Sequence, residues 1–136
     1  MDTNNMEVIY QKVANILVEM IPEEWEKVLL YAEVREGFSQ VFFYYYPINH
    51  KQQPVYSLNI VDSFNVEKSS HKKLKQELYE CFEDLWNEFK IQDQEQWTSL
   101  TYLLDNTGRM KLNYGYDDIS EISPDEKQEK WEAEYL

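Results

Sequence analysis

The chain has 136 residues, 43% hydrophobic and 15% aromatic, with three Gly and four Pro. That suffices for one compact domain with a core, is too short for two ordinary ones, and leaves too few linker residues for intrinsic disorder. The single cysteine, Cys81, excludes an internal disulfide and any multi-cysteine metal site, and the formal charge of -13 disfavours nucleic acid and anionic lipid as partners.

The charge is unevenly placed. Residues 1–75 hold ten acids against eight Lys and Arg, whereas residues 76–136 hold sixteen against five. Such a field speeds encounter with a basic partner, and the alternative is that it only keeps the protein soluble. The apolar runs fall far short of the roughly 20 residues needed to cross a bilayer. MDTNNMEVIY lacks the basic-then-apolar order of a signal peptide, so the expected location is the cytoplasm.

In chain order, Ile9, Val13, Ile16, Leu17 and Met20 recur at helical spacing and predict an amphipathic helix over residues 7–21, stopped by Pro22. Residues 27–35 alternate, with Val28, Leu30, Ala32 and Val34 on one face and Leu29, Tyr31 and Glu33 on the other, which predicts a strand ending at Glu36-Gly37. VFFYYY within residues 40–46 places large side chains on both faces of a second strand, so that strand is expected to be covered on both sides. The alternative is that Phe43 and Tyr45 point outwards as a contact surface. A polar loop over residues 47–54 precedes a short third strand, residues 55–60, at an edge of the resulting meander.

Leu74, Leu78, Cys81, Phe82, Leu85 and Phe89 then mark the longest helix, within residues 66–90, with its apolar face on the sheet. Its outer face carries Lys68, Lys72, Lys73 and Lys75 early and Glu77, Glu80, Glu83, Asp84 and Glu88 late. That order opposes the helix dipole, so the acidic end is read as answering to something outside the fold. After a turn at residues 92–95, apolar residues at even positions over 100–104 and 110–116 flank Asp105-Asn106-Thr107-Gly108, the pattern of a β-hairpin. Ser123-Pro124-Asp125-Glu126 reads as the capping-box start of a last helix carrying Trp131. The expected fold is α+β: N-terminal helix, three-stranded antiparallel meander, long helix, β-hairpin and C-terminal helix, with helices packed on an antiparallel sheet.

The motifs of chemistry are missing. His50 and His71 have no metal-ligand spacing and are expected on the surface, while Cys81 falls in an apolar stripe and reads as a buried, inert thiol. There is no glycine-rich phosphate loop and no Gly-x-Ser-x-Gly elbow. Asp117, Asp118 and Glu121 are the densest acids at a strand end. They do not match a calcium loop, and adjacent carboxylates on extended chain point apart, a poor geometry for an acid-base dyad. No catalytic residue, cofactor or metal is therefore expected, and the chain is read as not an enzyme. With no basic residue near them in sequence, Asp117, Asp118 and Glu121 are candidate contacts for a basic protein. Tyr116 on the hairpin and the late helix acids Glu83, Asp84 and Glu88 join them, whereas Trp97, Tyr114 and Trp131 are assigned to the core.

Four segments, IPEEWEKVLLYAEV, QVFFYYYP, DQEQWTSLTYLLDNTGRMKLNYGYDD and SPDEKQEKWEAEYL, together resemble the YezG family of bacterial immunity proteins, found in Bacillus and Staphylococcus. The likeness covers nearly the whole chain in the same segment order. It implies a single immunity domain over residues 1–136, an antitoxin that binds and neutralises the C-terminal nuclease domain of a secreted LXG-type toxin inside the producing cell. At Lys127 the chain departs from the family pattern, where Arg is common, so a bidentate Arg contact is not expected there. Two readings compete with the immunity role: a small acid-dependent or metal-binding enzyme, and an adaptor that recognises a basic peptide at a sheet edge.

Overall fold

The computed structural model describes residues 3–136. Helix α1 (Asn4–Met20) buries Met6, Val13, Ala14, Ile16, Leu17 and Met20. Its last bond runs from the Ile21 N–H to the Leu17 carbonyl at 3.0 Å, after which Pro22 has no N–H to continue the ladder. Strand β1 (Trp25–Arg35) and β2 (Phe38–Pro47) pair antiparallel, with Leu30 opposite Phe43 and Arg35 opposite Phe38. Gly37 closes that turn at φ +78°, a conformation that a side chain would disfavour.

The third strand is shorter than expected. Strand β3 is Val55–Tyr56 alone, and the chain then turns through a 3-10 segment, Ser57–Asn59, into the short helix α2 (Ile60–Ser63). The physical reason is local: the Ser57 hydroxyl accepts the Phe43 N–H at 3.1 Å, so a side chain takes the place of the next ladder bond. Ile60 is then fully buried beneath the turn.

Helix α3 (Lys68–Ile91) is capped by the Glu67 carboxylate, which accepts from the N–H of Ser69 and of Ser70. It buries Leu78, Cys81, Phe82, Leu85 and Phe89. Strands β4 (Ser99–Asp105) and β5 (Met110–Gly115) form the hairpin. Asp105 Oδ1 holds its loop by accepting from Thr107 N, Thr107 Oγ1 and Arg109 N at 2.9, 2.6 and 3.1 Å, and Gly108 sits at φ +90°. Helix α4 (Pro124–Tyr135) starts as expected, with the Ser123 hydroxyl accepting the Glu126 N–H at 3.2 Å. Only half of the capping box forms, because the Glu126 carboxylate faces Lys130 at 3.7 Å instead.

The sheet order is β3-β2-β1-β4-β5, antiparallel throughout, so the hairpin extends the meander on the β1 side. Alternation then sorts the core into two layers. Val28, Leu30, Ala32, Val41, Phe43, Tyr45, Leu100, Tyr102 and Leu104 meet α1 and α3. Leu29, Tyr31, Phe42, Tyr44 and Tyr46 meet Trp131 of α4 on the opposite face. VFFYYY is thus buried on both faces, which excludes the reading of Phe43 and Tyr45 as a contact surface. No helix of the described residues is long and apolar enough to cross a membrane.

Candidate partner-binding site

The acids after the hairpin are positioned by the end of β5. Thr98 donates its N–H to the Gly115 carbonyl at 2.8 Å and its hydroxyl to the Asp117 carbonyl at 2.7 Å. The backbone of Asp117 is therefore tied down while its carboxylate stands exposed. Asp118 closes a local turn, its Oδ1 accepting from Ser120 N at 3.0 Å and Ser120 Oγ at 2.7 Å. Those bonds, helped by the charge of Arg35, hold its carboxyl below the ordinary aspartate range. Glu121 is exposed in the same connection, and Tyr116 keeps 45% of its surface accessible.

Arg35 corrects the expectation drawn from sequence proximity. It lies far away in the chain, at the end of β1, yet it lines one concavity of about 240 Å³ with Thr98, Tyr116, Asp118 and Ser120. β1 delivers it there, since Glu33 pairs with Ser99 and Ser99 with Gly115. Gly115 allows that approach: a Cβ on it would lie 2.5 Å from Ser99 Oγ.

The acids of α3 divide into two groups. Glu83 accepts from the Ser39 hydroxyl at 3.5 Å, and Ser39 pairs with Val34, so Glu83 borders the same end of the sheet as residues 116–118. Glu88 instead accepts from Asn5 of α1 at 3.3 Å and from Gln92 at 2.7 Å. Asp84, one turn before Glu88, is exposed on the outer face of α3. Tyr116, Asp117, Asp118 and Glu121 thus follow one another beyond the end of β5, Glu83 borders that end of the sheet from the α3 side, and Glu88 flanks the α1–α3 contact.

Residues outside that set carry the polar chemistry of the interior. Glu33 is 2% exposed and accepts from Lys127 Nζ at 2.8 and 3.0 Å, from Arg35 and from the Tyr31 hydroxyl. Lys127 therefore faces inward and pins α4 to β1. The sequence signal was present, since Glu33 shares the Leu29–Tyr31 face, but its partner lies 94 residues on. The aromatics assigned to the core are there: Trp97 is fully buried, Trp131 donates Nε1–H to Thr101 Oγ1 at 2.9 Å, and the Tyr114 hydroxyl bonds that of Tyr10.

The Cys81 thiol is buried and its pKa is pushed up to about 11 by desolvation, the state of an unreactive thiol. His50 is exposed in the turn after β2, but His71 is half-buried on the wall of a cavity rather than simply on the surface. Among the described residues no group of three or more His, Cys, Asp or Glu is placed to hold a metal.

The model of the family described as immunity protein YezG-like matches residues 6–136. The chain is 42% identical to the immunity protein YezG of Bacillus spizizenii over 96% of its own length and 82% of that protein. It is 40% identical to the immunity protein YezG of Bacillus subtilis over 96% of its length and 87% of the relative. It is also 36% identical to the type VII secretion system protein EsaG of Staphylococcus aureus, over 81% of this chain and 67% of that one. With an α+β fold in the expected element order and a match along almost all of its residues, the chain belongs to the family of YezG-like immunity proteins.

Proposed function

We propose that this chain is a single-domain antitoxin that binds the C-terminal nuclease domain of a secreted LXG-type toxin in the cytoplasm and neutralises it stoichiometrically, without catalysis. The observation that carries the reading is the match to immunity proteins over residues 6–136. The charge distribution supports a basic target, since residues 76–136 hold sixteen acids against five bases, and a nuclease domain that grips phosphates is basic. In this reading the rim of Asp117, Asp118, Glu121 and Glu83 steers the toxin, and Tyr116 supplies exposed aromatic area for an anchor.

The test is the triple variant Asp117→Asn, Asp118→Asn, Glu121→Gln, in which the amide oxygen introduced at position 118 can still accept from Ser120 and keep the turn. Association with the toxin domain is expected to slow at low salt, and the salt dependence of the affinity to shrink. Asp84→Asn with Glu88→Gln serves as the comparison on the other flank. Full affinity and an unchanged salt slope in the triple variant would move the site away from this rim.

A further inference from the structure

The first turns of α3 present a surface of opposite character to the acidic rim. Lys68, His71, Lys72 and Lys75 recur at three- and four-residue steps and line one cavity of about 380 Å³. Its floor is apolar, built from Met20, Val41, Phe43 and Leu78. Leu58 and Val61, from the turn that replaces the rest of the third strand, form the facing wall.

The fold gains little from these cations. They stand at the positive end of the α3 dipole, Lys68 and Lys72 are like charges one turn apart, and none has an ion pair among the described residues. Burial and the neighbouring Lys75 lower the His71 pKa, so at neutral pH that ring can meet a ligand uncharged. In a protein of net charge -13, concentrated cations around an apolar floor select for an occupant that is apolar at one end and negative at the other.

We propose that this cavity binds a small anionic amphiphile, its apolar body seated on Met20, Phe43 and Leu78 and its anionic head held by Lys68, Lys72 and Lys75. The site is distinct from the toxin-binding reading, since the residues that line it include none of Tyr116, Asp117, Asp118, Glu121 and Glu83. A free molecule fits better than a bilayer. The volume falls in the range of small-molecule sites, about 300–1,000 Å³, and the net charge repels an anionic membrane.

The test is calorimetric titration of the full chain with decanoate, decyl phosphate, decanol, decyltrimethylammonium and vesicles of anionic phospholipid. Saturable binding of at least one of the two anions is expected, at least about tenfold tighter than decanol, a difference of roughly 1.4 kcal/mol, with none for the cation. Lys72→Glu with Lys75→Glu should weaken it at least about tenfold, and Val61→Trp should abolish it by filling the cavity. Thermal melts check that these variants fold, and Leu58→Trp on the same wall replaces Val61→Trp if that one does not. No saturable binding of either anion, equal affinity for decanol, binding only to anionic vesicles, or unchanged binding in the folded variants would overturn the proposal.

Discussion

The two faces of the sheet are covered by different means. On one, two long helices lay an aliphatic-rich layer over the strands, with Leu17, Leu30, Leu78, Leu85 and Leu100 essentially inaccessible. On the other, a single 12-residue helix covers a row of aromatics through one indole and one ion pair. The Trp131 ring stacks with that of Tyr44 at 6.0 Å and meets Phe42 edge-on at 5.4 Å. The Tyr44 hydroxyl donates to Glu132 at 2.7 Å, and Lys127 reaches Glu33. Many small dispersion and transfer terms secure the first face, so no one residue governs it. The second rests on a few large, directional contacts and is the one that a single substitution can release.

The largest expected effect follows from that asymmetry. Trp131→Ala should cost about 3–5 kcal/mol in urea unfolding. It should strip hydrogen-exchange protection from residues 124–135 while β1 and β2 stay protected. Uniform loss of protection would mean that the faces are not separable. Next, Lys127→Met leaves the buried Glu33 with the Tyr31 hydroxyl and Arg35 as its remaining partners and should cost about 3 kcal/mol. Adding Glu33→Leu should recover most of it, because two buried charges are replaced by apolar volume. A double variant no better than the single would show that the pair stabilises in its own right.

A smaller effect is expected where the hairpin meets the acidic rim. Gly115→Ala brings a Cβ against Ser99 Oγ and should cost about 1 kcal/mol. Ser99→Ala should relieve it, since the Ser99 Cβ stands 3.9 Å from the added carbon. The smallest effect separates the faces by pH. α3 is capped by a carboxylate and α4 by a hydroxyl. Hydrogen bonds from Ser69 and Ser70 lower the Glu67 pKa from 4.5 to about 2. Its stabilising contribution is therefore complete above pH 4.5 and is lost as pH falls toward 2. Glu67→Gln should flatten that acid limb in urea melts at pH 5 and pH 3, and an unchanged slope would assign the acid sensitivity elsewhere.

Much of the fold was legible because period and punctuation are local. The α3 stripe, the two-faced VFFYYY strand and the Ser123-Pro124 start each depend on neighbours within a few residues. The third strand escapes for the complementary reason: Val55, Leu58 and Ile60 suit a strand, but a hydroxyl from Ser57 intercepts the ladder. Asp117, Asp118 and Glu121 were visible as a cluster, whereas the separation of Glu83 from Glu88 along α3 was not.

By itself the sequence determined the element types outside residues 57–63, the burial of the aromatics, the excess of acid in the second half and the family likeness. All of these are encoded in composition, spacing and order. Only the tertiary structure decided that Arg35 stands beside Asp118, that Lys127 is spent on Glu33, and that the early cations of α3 ring an apolar cavity. Those pairings join residues brought together by strand register and helix docking, and electrostatics acts through space rather than along the chain.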